Sequence, residues 1–246
     1  MLHGKKVAAI IPARFASTRF PGKPLVDLGG KPMIQRTYER VKAVKGFDRI
    51  VIATDDQRIF DAALGFNAEV MMTSSGHLTG TDRCAEVLSR LGESVDYVVN
   101  IQGDEPFVKR APLEKVLDCF KDPTVQVASL MQVLENPTSI ADPNYVKVAV
   151  DKKMNALFFS RSVIPYLRDT AIAPIYYEHV GVYAFKKQAL IDFTNWPMSP
   201  LEAAEKIECL RYLENGVGIR MAITDYMGVE IDTPEDLIKA AQLLNK

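Results

Sequence analysis

Val7-Ala-Ala-Ile-Ile11, running straight into Pro12-Ala-Arg-Phe-Ala-Ser-Thr-Arg-Phe-Pro-Gly-Lys-Pro-Leu25, is the stretch that decides the fold. Its apolar run shows no alternation between faces, which is the pattern of a parallel strand buried on both sides. A long irregular loop to Gly30 follows. Pro32, at a first helical position, then opens an amphipathic stretch with Ile34, Tyr38 and Val41 on one side. Outward from there the rhythm repeats. Arg49 to Ala53 reads as a second buried strand ended by Thr54, Asp55 and Asp56, Gln57 to Leu64 as a helix closed by Gly65, and Ala68 to Met72 as a third strand. Asp82 to Leu91 is helical, Val95 to Ile101 is the strongest strand, and Arg110 to Phe120 is helical again. Strands alternating with helices predict an α/β fold with a doubly wound, mostly parallel sheet.

From Val125 the rhythm changes. Val125 to Met131, Val146 to Val150, Ala156 to Phe159 and Val180 to Phe185 read as strands with little helix between them, so antiparallel pairing is expected over 125–195. Helix returns at Pro200 to Glu214, strand at Ile219 to Ile223, and a last helix starts at Pro234. No repeat or flexible linker interrupts the 246 residues, and a single domain over 1–246 is expected, with 125–195 as a lobe or sheet edge within it. A chain of this length hides about 70% of its surface on folding, ample core without covalent staples.

Composition narrows the function classes. With 30 Lys and Arg against 31 Asp and Glu, no global basic field exists to hold nucleic acid or anionic lipid. Any anion site must be local. Cys84, Cys119 and Cys209 lie far apart with no CxxC spacing, against a disulfide framework or zinc knuckle, and a reducing cytoplasm fits best. Met1 to Lys6 is polar and runs into too short an apolar stretch for a signal peptide, and no membrane-inserted segment is expected.

In open α/β sheets ligands sit outside the carboxyl ends of the strands, so the loops after Ile11, Ala53 and Ile101 carry most weight. The first, over Pro12 to Leu25, places Arg14, Arg19 and Lys23 together with Ser17 and Thr18 and without a carboxylate. It suits a polyphosphate, because guanidinium forks and an ammonium neutralise several oxygens together; a solvated basic loop is the plainer alternative. No GxxxxGK[ST] and no GxGxxG occurs, so the two common nucleotide fingerprints are excluded. Gln102-Gly-Asp-Glu-Pro106 puts acids at the mouth of the central strand, for a hard divalent cation or for the cap of the next helix. Asp232 precedes a helix already capped by Thr233, Pro234 and Asp236, so it is a spare metal ligand or a plain surface acid. Gly80-Thr-Asp-Arg83 opens a helix, where Arg83 either meets an anion or belongs to a helix-start turn. His179 shares a strand face with Gly181 and Tyr183, the usual setting of a structural histidine. Glu208 and Arg211 are expected to pair on the surface of the helix from Pro200.

Taken together, the first loop and Ala53-Thr-Asp-Asp56, His77-Leu-Thr-Gly-Thr-Asp-Arg83, Asn100-Ile-Gln-Gly-Asp-Glu-Pro106, Val146-Lys-Val, Phe159-Ser-Arg-Ser-Val-Ile-Pro165, His179-Val-Gly-Val-Tyr183 and Asp232-Thr-Pro-Glu-Asp-Leu237 resemble the 3-deoxy-manno-octulosonate (Kdo) cytidylyltransferases, or CMP-Kdo synthetases. The resemblance covers essentially the whole chain. It implies a nucleotide-diphosphosugar-transferase, Rossmann-like fold, CTP and Kdo as substrates, Mg²⁺ dependence, and a homodimer built through the antiparallel region. Carried over by residue, it implies that Arg14, Arg19 and Lys23 hold the CTP phosphates and that Ala13, Ser17 and Gln102 line the nucleotide. Asp104 and Asp232 are implied as Mg²⁺ ligands, and Arg83, Gln102, His179, Tyr183 and Glu208 as the residues facing the sugar acid. Arg14, Lys23, Asp104 and Asp232 are thereby the expected catalytic set. Two departures are visible: Cys209 stands where the family more often has Gln, and Thr79 where it usually has Ser. They leave room for a modified acceptor such as the 8-amino sugar acid. A non-catalytic CTP-binding sensor is the rival from another class.

Overall fold

The computed structural model describes residues 4–16, 20–92, 95–225, 231 and 233–244. Cα packing divides them into two compact units, one of the residues through Leu113 together with Ile231 and 233–244, the other from Glu114 to Asp225.

In the first unit, β1 (Val7–Ala13), β2 (Arg49–Thr54), β3 (Glu69–Met72) and β4 (Tyr97–Asn100) form a parallel sheet ordered β3-β2-β1-β4. Every residue of β1 and β4 is buried, as the unbroken apolar runs require. The order turns back between β1 and β4, because β2 and β3 lie to one side of β1 and β4 to the other. That is the switch point where doubly wound sheets open a crevice at the strands' carboxyl ends. The loops after β1 and β4, the two singled out by their charges, leave adjacent strands there.

α1 (Met33–Lys42) begins one residue later than expected, with Pro32 as its N-cap. Its buried face includes Thr37 beside Ile34, Tyr38 and Val41. α2 (Gln57–Gly65) is capped by Asp56, whose carboxylate accepts the Arg58 N–H at 2.9 Å. α3 (Gly80–Leu91) starts two residues before Asp82, because Thr79 and Asp82 form a reciprocal capping box. The C-terminal α9 (Pro234–Leu244) has the capping box expected of Thr233 and Asp236. Ala240 of α9 belongs to a core cluster with Leu28, Met33, Phe107 and Ile231, and the partly buried Leu237 packs against it.

The chain passes to the second unit within α4 (Arg110–Asp118). There β5 (Val127–Val133) pairs antiparallel with β8 (Tyr177–Lys186), and β6 (Lys147–Val150) with β7 (Ala156–Ser160). α5 (Pro137–Ala141) precedes β6, and α6 (Lys187–Asn195) follows β8. The antiparallel character holds over 125–195, but the unit extends beyond that span because β9 (Ile219–Ile223) joins β5 in parallel. The helix expected over Pro200 to Glu214 is two short helices, α7 (Pro200–Glu205) and α8 (Leu210–Glu214), broken where Lys206 takes a left-handed φ of 54°.

Candidate active site

The first unit builds its site on the ends of β1 and β4. Arg14, one residue past β1 and the buried Ala13, is exposed. The loop then closes on itself: Gly22, at φ 73°, donates its N–H to the Phe15 carbonyl at 2.9 Å. A Cβ on Gly22 would stand 3.0 Å from the Phe15 ring, so the turn needs glycine for both its φ and its space. The Arg58 guanidinium lies 3.3 Å from the Phe15 ring centroid and forms a two-pronged pair with Asp56.

This closed turn delivers Lys23, whose residue is only 9% exposed, into a direct ion pair with Asp104 Oδ2. The stretch Pro12 to Leu25 lacks an acid of its own, and the fold supplies one from 81 residues away. Asp104 is held by backbone on both sides. Thr37 Oγ1 donates to the Gly103 carbonyl at 3.0 Å, and Ile231 N–H reaches the Asp104 carbonyl at 3.3 Å. Gly103 has no room for a side chain, since a Cβ would come 2.9 Å from the Pro12 carbonyl oxygen. Gln102 is half-buried, and its Oε1 lies 3.7 Å from where a Cβ on Gly80 would stand.

Asp104 Oδ1 is buried and has no hydrogen-bond partner among the described residues. A buried carboxylate oxygen without a donor is costly unless a cation or water meets it. The arrangement therefore fits a divalent metal. No cluster of three or more His, Cys, Asp or Glu placed for a metal occurs among the described residues. Ser17, Arg19 and Asp232 lie outside the described residues.

Arg83 is buried. Its guanidinium pairs with Asp55 at 2.9 Å and donates to Thr73 Oγ1, tying the start of α3 to the ends of β2 and β3.

In the second unit, Phe159, His179, Tyr183, Phe185 and Tyr212 form a ladder of rings with centroids 4.9 to 5.9 Å apart. His179 Nε2 lies 3.0 Å from Ser129 Oγ, which is itself 2.9 Å from the Val182 carbonyl. The same hydroxyl also lies 3.2 Å from the Val180 carbonyl. Burial pushes the His179 pKa down to about 4. Burial also raises the Tyr183 phenol, with the charges of Cys209 and Glu208 and a hydrogen bond to Cys209 adding to it. The Cys209 thiol is raised chiefly by burial. Arg211 does not sit on the surface: it is buried in a two-pronged pair with Glu202, at 2.6 and 2.7 Å, because the break at Lys206 lets α8 turn it back onto the α7 cap.

A family model described as "Cytidylyltransferase" matches residues 8–223. The chain belongs to the cytidylyltransferase family. It is 50% identical over 242 residues to the 3-deoxy-manno-octulosonate cytidylyltransferase of Flavobacterium johnsoniae, covering 97% of this chain and 98% of that one. The protein of the same name from Parabacteroides distasonis is 47% identical over 248 residues, covering 97% and 98%. A solved CMP:2-keto-3-deoxy-manno-octonic acid synthetase complexed with CTP matches with a TM-score of 0.93 and 40% identity, covering 98% of this chain and 99% of that one. A 4-diphosphocytidyl-2C-methyl-D-erythritol synthase from Anaerococcus prevotii, 18% identical with a TM-score of 0.67, shares the fold. No helix among the described residues of this cytidylyltransferase is long and apolar enough to cross a membrane.

Sequence reasoning missed three supports of the site. Thr37 was the most accessible of them, since a hydroxyl on the apolar stripe of α1 is a polar group that must find a buried partner. Asp55 and Arg58 sit in the loop after β2 and the helix it opens, but nothing local shows that one holds Arg83 and the other covers Phe15.

Proposed function

We infer that the chain transfers CMP from CTP to the anomeric 2-hydroxyl of Kdo, releasing pyrophosphate and forming CMP-Kdo for lipopolysaccharide synthesis. The observation that carries this reading is the match, over 98% of this chain, to a synthetase solved with CTP. The relatives named above for the same reaction support it.

The reaction joins two anions, a triphosphate and a sugar carboxylate, so neutralisation and positioning supply most of the barrier reduction. Arg14, Arg19 and Lys23 take the phosphates; Ala13, Ser17 and Gln102 line the nucleotide. When bound, Mg²⁺ at Asp104 and Asp232 supplies Lewis-acid polarisation of the α-phosphate and eases loss of the attacking hydroxyl's proton. Gln102, His179, Tyr183 and Glu208 serve the sugar acid, and Arg83 serves it by fixing the start of α3. Leu157, Tyr166, Ile172 and Ile175, apolar and exposed on the second unit, support a homodimer made through that unit. The free thiols of Cys84, Cys119 and Cys209 agree with a cytoplasmic enzyme.

An acceptor panel with CTP and Mg²⁺, read as pyrophosphate release, tests the reading. Kdo should outrun its 8-amino form and other sugar acids. Preference for the 8-amino form would move the specificity to the modified acceptor for which the departures at Cys209 and Thr79 leave room. CTP binding without pyrophosphate release from any acceptor would overturn the enzyme reading in favour of a sensor.

A further inference from the structure

The Lys23–Asp104 ion pair joins a residue assigned to the phosphates with one assigned to the metal. We propose that this pair makes each residue the competitor of the other's ligand, so that metal and polyphosphate are admitted together and each is disfavoured alone. The proposal deepens the reading above and rests on its assignment of Lys23 and Asp104.

The pair is largely shielded from water, with side chains 11% and 19% exposed. In such a setting, leaving either charge without its partner is strongly unfavourable. A divalent cation arriving alone at Asp104 has the unpartnered Oδ1 to bind. It must do so beside the Lys23 ammonium, which holds Oδ2 and repels it. A triphosphate arriving alone at Lys23 must draw the ammonium from Asp104 and face that carboxylate across the gap. Arriving together, they would exchange one ion pair for two: phosphate with Lys23, and metal with the Asp104 carboxylate. Because Thr37, Gly103 and Ile231 fix the backbone at Asp104, and the Gly22 turn fixes that at Lys23, the exchange needs only side-chain motion. The consequence for function is a filter against loading with free metal or with metal-free nucleotide.

Metal and triphosphate attract each other directly, so their mutual enhancement alone does not isolate the device. The two single substitutions do. Lys23→Gln should bind Mn²⁺ in the absence of nucleotide about tenfold more tightly than the wild-type chain, read by the loss of the free Mn²⁺ spin-resonance signal. Asp104→Asn should bind CTP in EDTA about tenfold more tightly than wild type, read by calorimetry. Each variant is checked for fold by circular dichroism, and Lys23→Met replaces Lys23→Gln if the amide is not tolerated. Unchanged or weaker Mn²⁺ binding by the Lys23 variant, or unchanged or weaker metal-free CTP binding by Asp104→Asn, overturns the proposal. A wild-type chain that makes CMP-Kdo while neither shift is seen keeps the function and loses the coupling. Both shifts in a chain that releases no pyrophosphate with any acceptor keep the coupling and overturn the function.

Discussion

The hydroxyl of Thr37, fully buried on α1, donates a 3.0 Å hydrogen bond to the carbonyl of Gly103, 66 residues further along the chain. This bond anchors the loop carrying Asp104 to a helix instead of leaving it to its own turn. Thr37→Val keeps the shape and β-branching but leaves the carbonyl without its donor, which costs about 1 to 3 kcal/mol of stability. Urea unfolding should show that loss, with the variant still cooperative. An unchanged midpoint would mean that the bond contributes nothing.

Gly103→Ala tests the same loop from the other side. The added Cβ would meet the Pro12 carbonyl oxygen at 2.9 Å, and a backbone atom of a buried central strand cannot give way as a flexible side chain can. The strain moves the 102–104 turn and Asp104 with it. A displacement approaching 1 Å at a catalytic group lowers turnover by about a hundredfold. Pyrophosphate release should fall by that order while circular dichroism stays native; near-normal turnover would show that Asp104 tolerates the shift.

Arg58→Ala removes the guanidinium over Phe15 while leaving Asp56 to cap α2. An exposed cation–π contact contributes roughly 0.5 to 1 kcal/mol, so the loop holding Lys23 should loosen modestly. The expected result is a KM for CTP raised roughly two- to fivefold with the KM for the sugar acid unchanged. Equal change in both constants would assign Arg58 to general stability.

The parallel half of the fold was legible because buried strands write themselves as unbroken apolar runs between helices, whereas the order β3-β2-β1-β4 is set by which strands meet in space and comes from the structure. The loops of the site were legible from their charges, since three cations without an acid after β1 and two acids after β4 are unusual there. What could not be read was which charges meet. Lys23 looks like a phosphate ligand in the sequence and is an ion-pair partner of Asp104 in the structure, because the Gly22 turn that aims it depends on Phe15 and Arg58. Arg211 was misplaced for a related reason. A period of 3.6 residues carries across Lys206 on paper, whereas the left-handed residue there restarts the helix and sends Arg211 inward to Glu202. Local pattern fixes elements, and long-range pairing fixes the site.

His179 gives the pH dependence a sign. Its folded pKa of about 4 lies below the ordinary histidine value of 6.5, because Phe159 and Tyr183 flank the ring and Ser129 meets Nε2 without adding charge. Between these values the unfolded chain binds the proton and the folded chain does not. Stability from this residue is therefore full above about pH 6.5 and declines as pH falls toward 4. His179→Gln can still hydrogen-bond to Ser129 and cannot titrate, so its urea midpoint should fall less steeply than wild type from pH 6.5 to 4. Carboxylates such as Asp48 and Asp56, whose pKa values are held low by Lys6 and Arg58, contribute their own acid loss below about pH 4 in both proteins, and subtracting the two curves removes it. Parallel curves from pH 6.5 to 4 would mean that the folded chain takes up the proton at His179 as readily as the unfolded one, and the ring would then be open to solvent rather than packed.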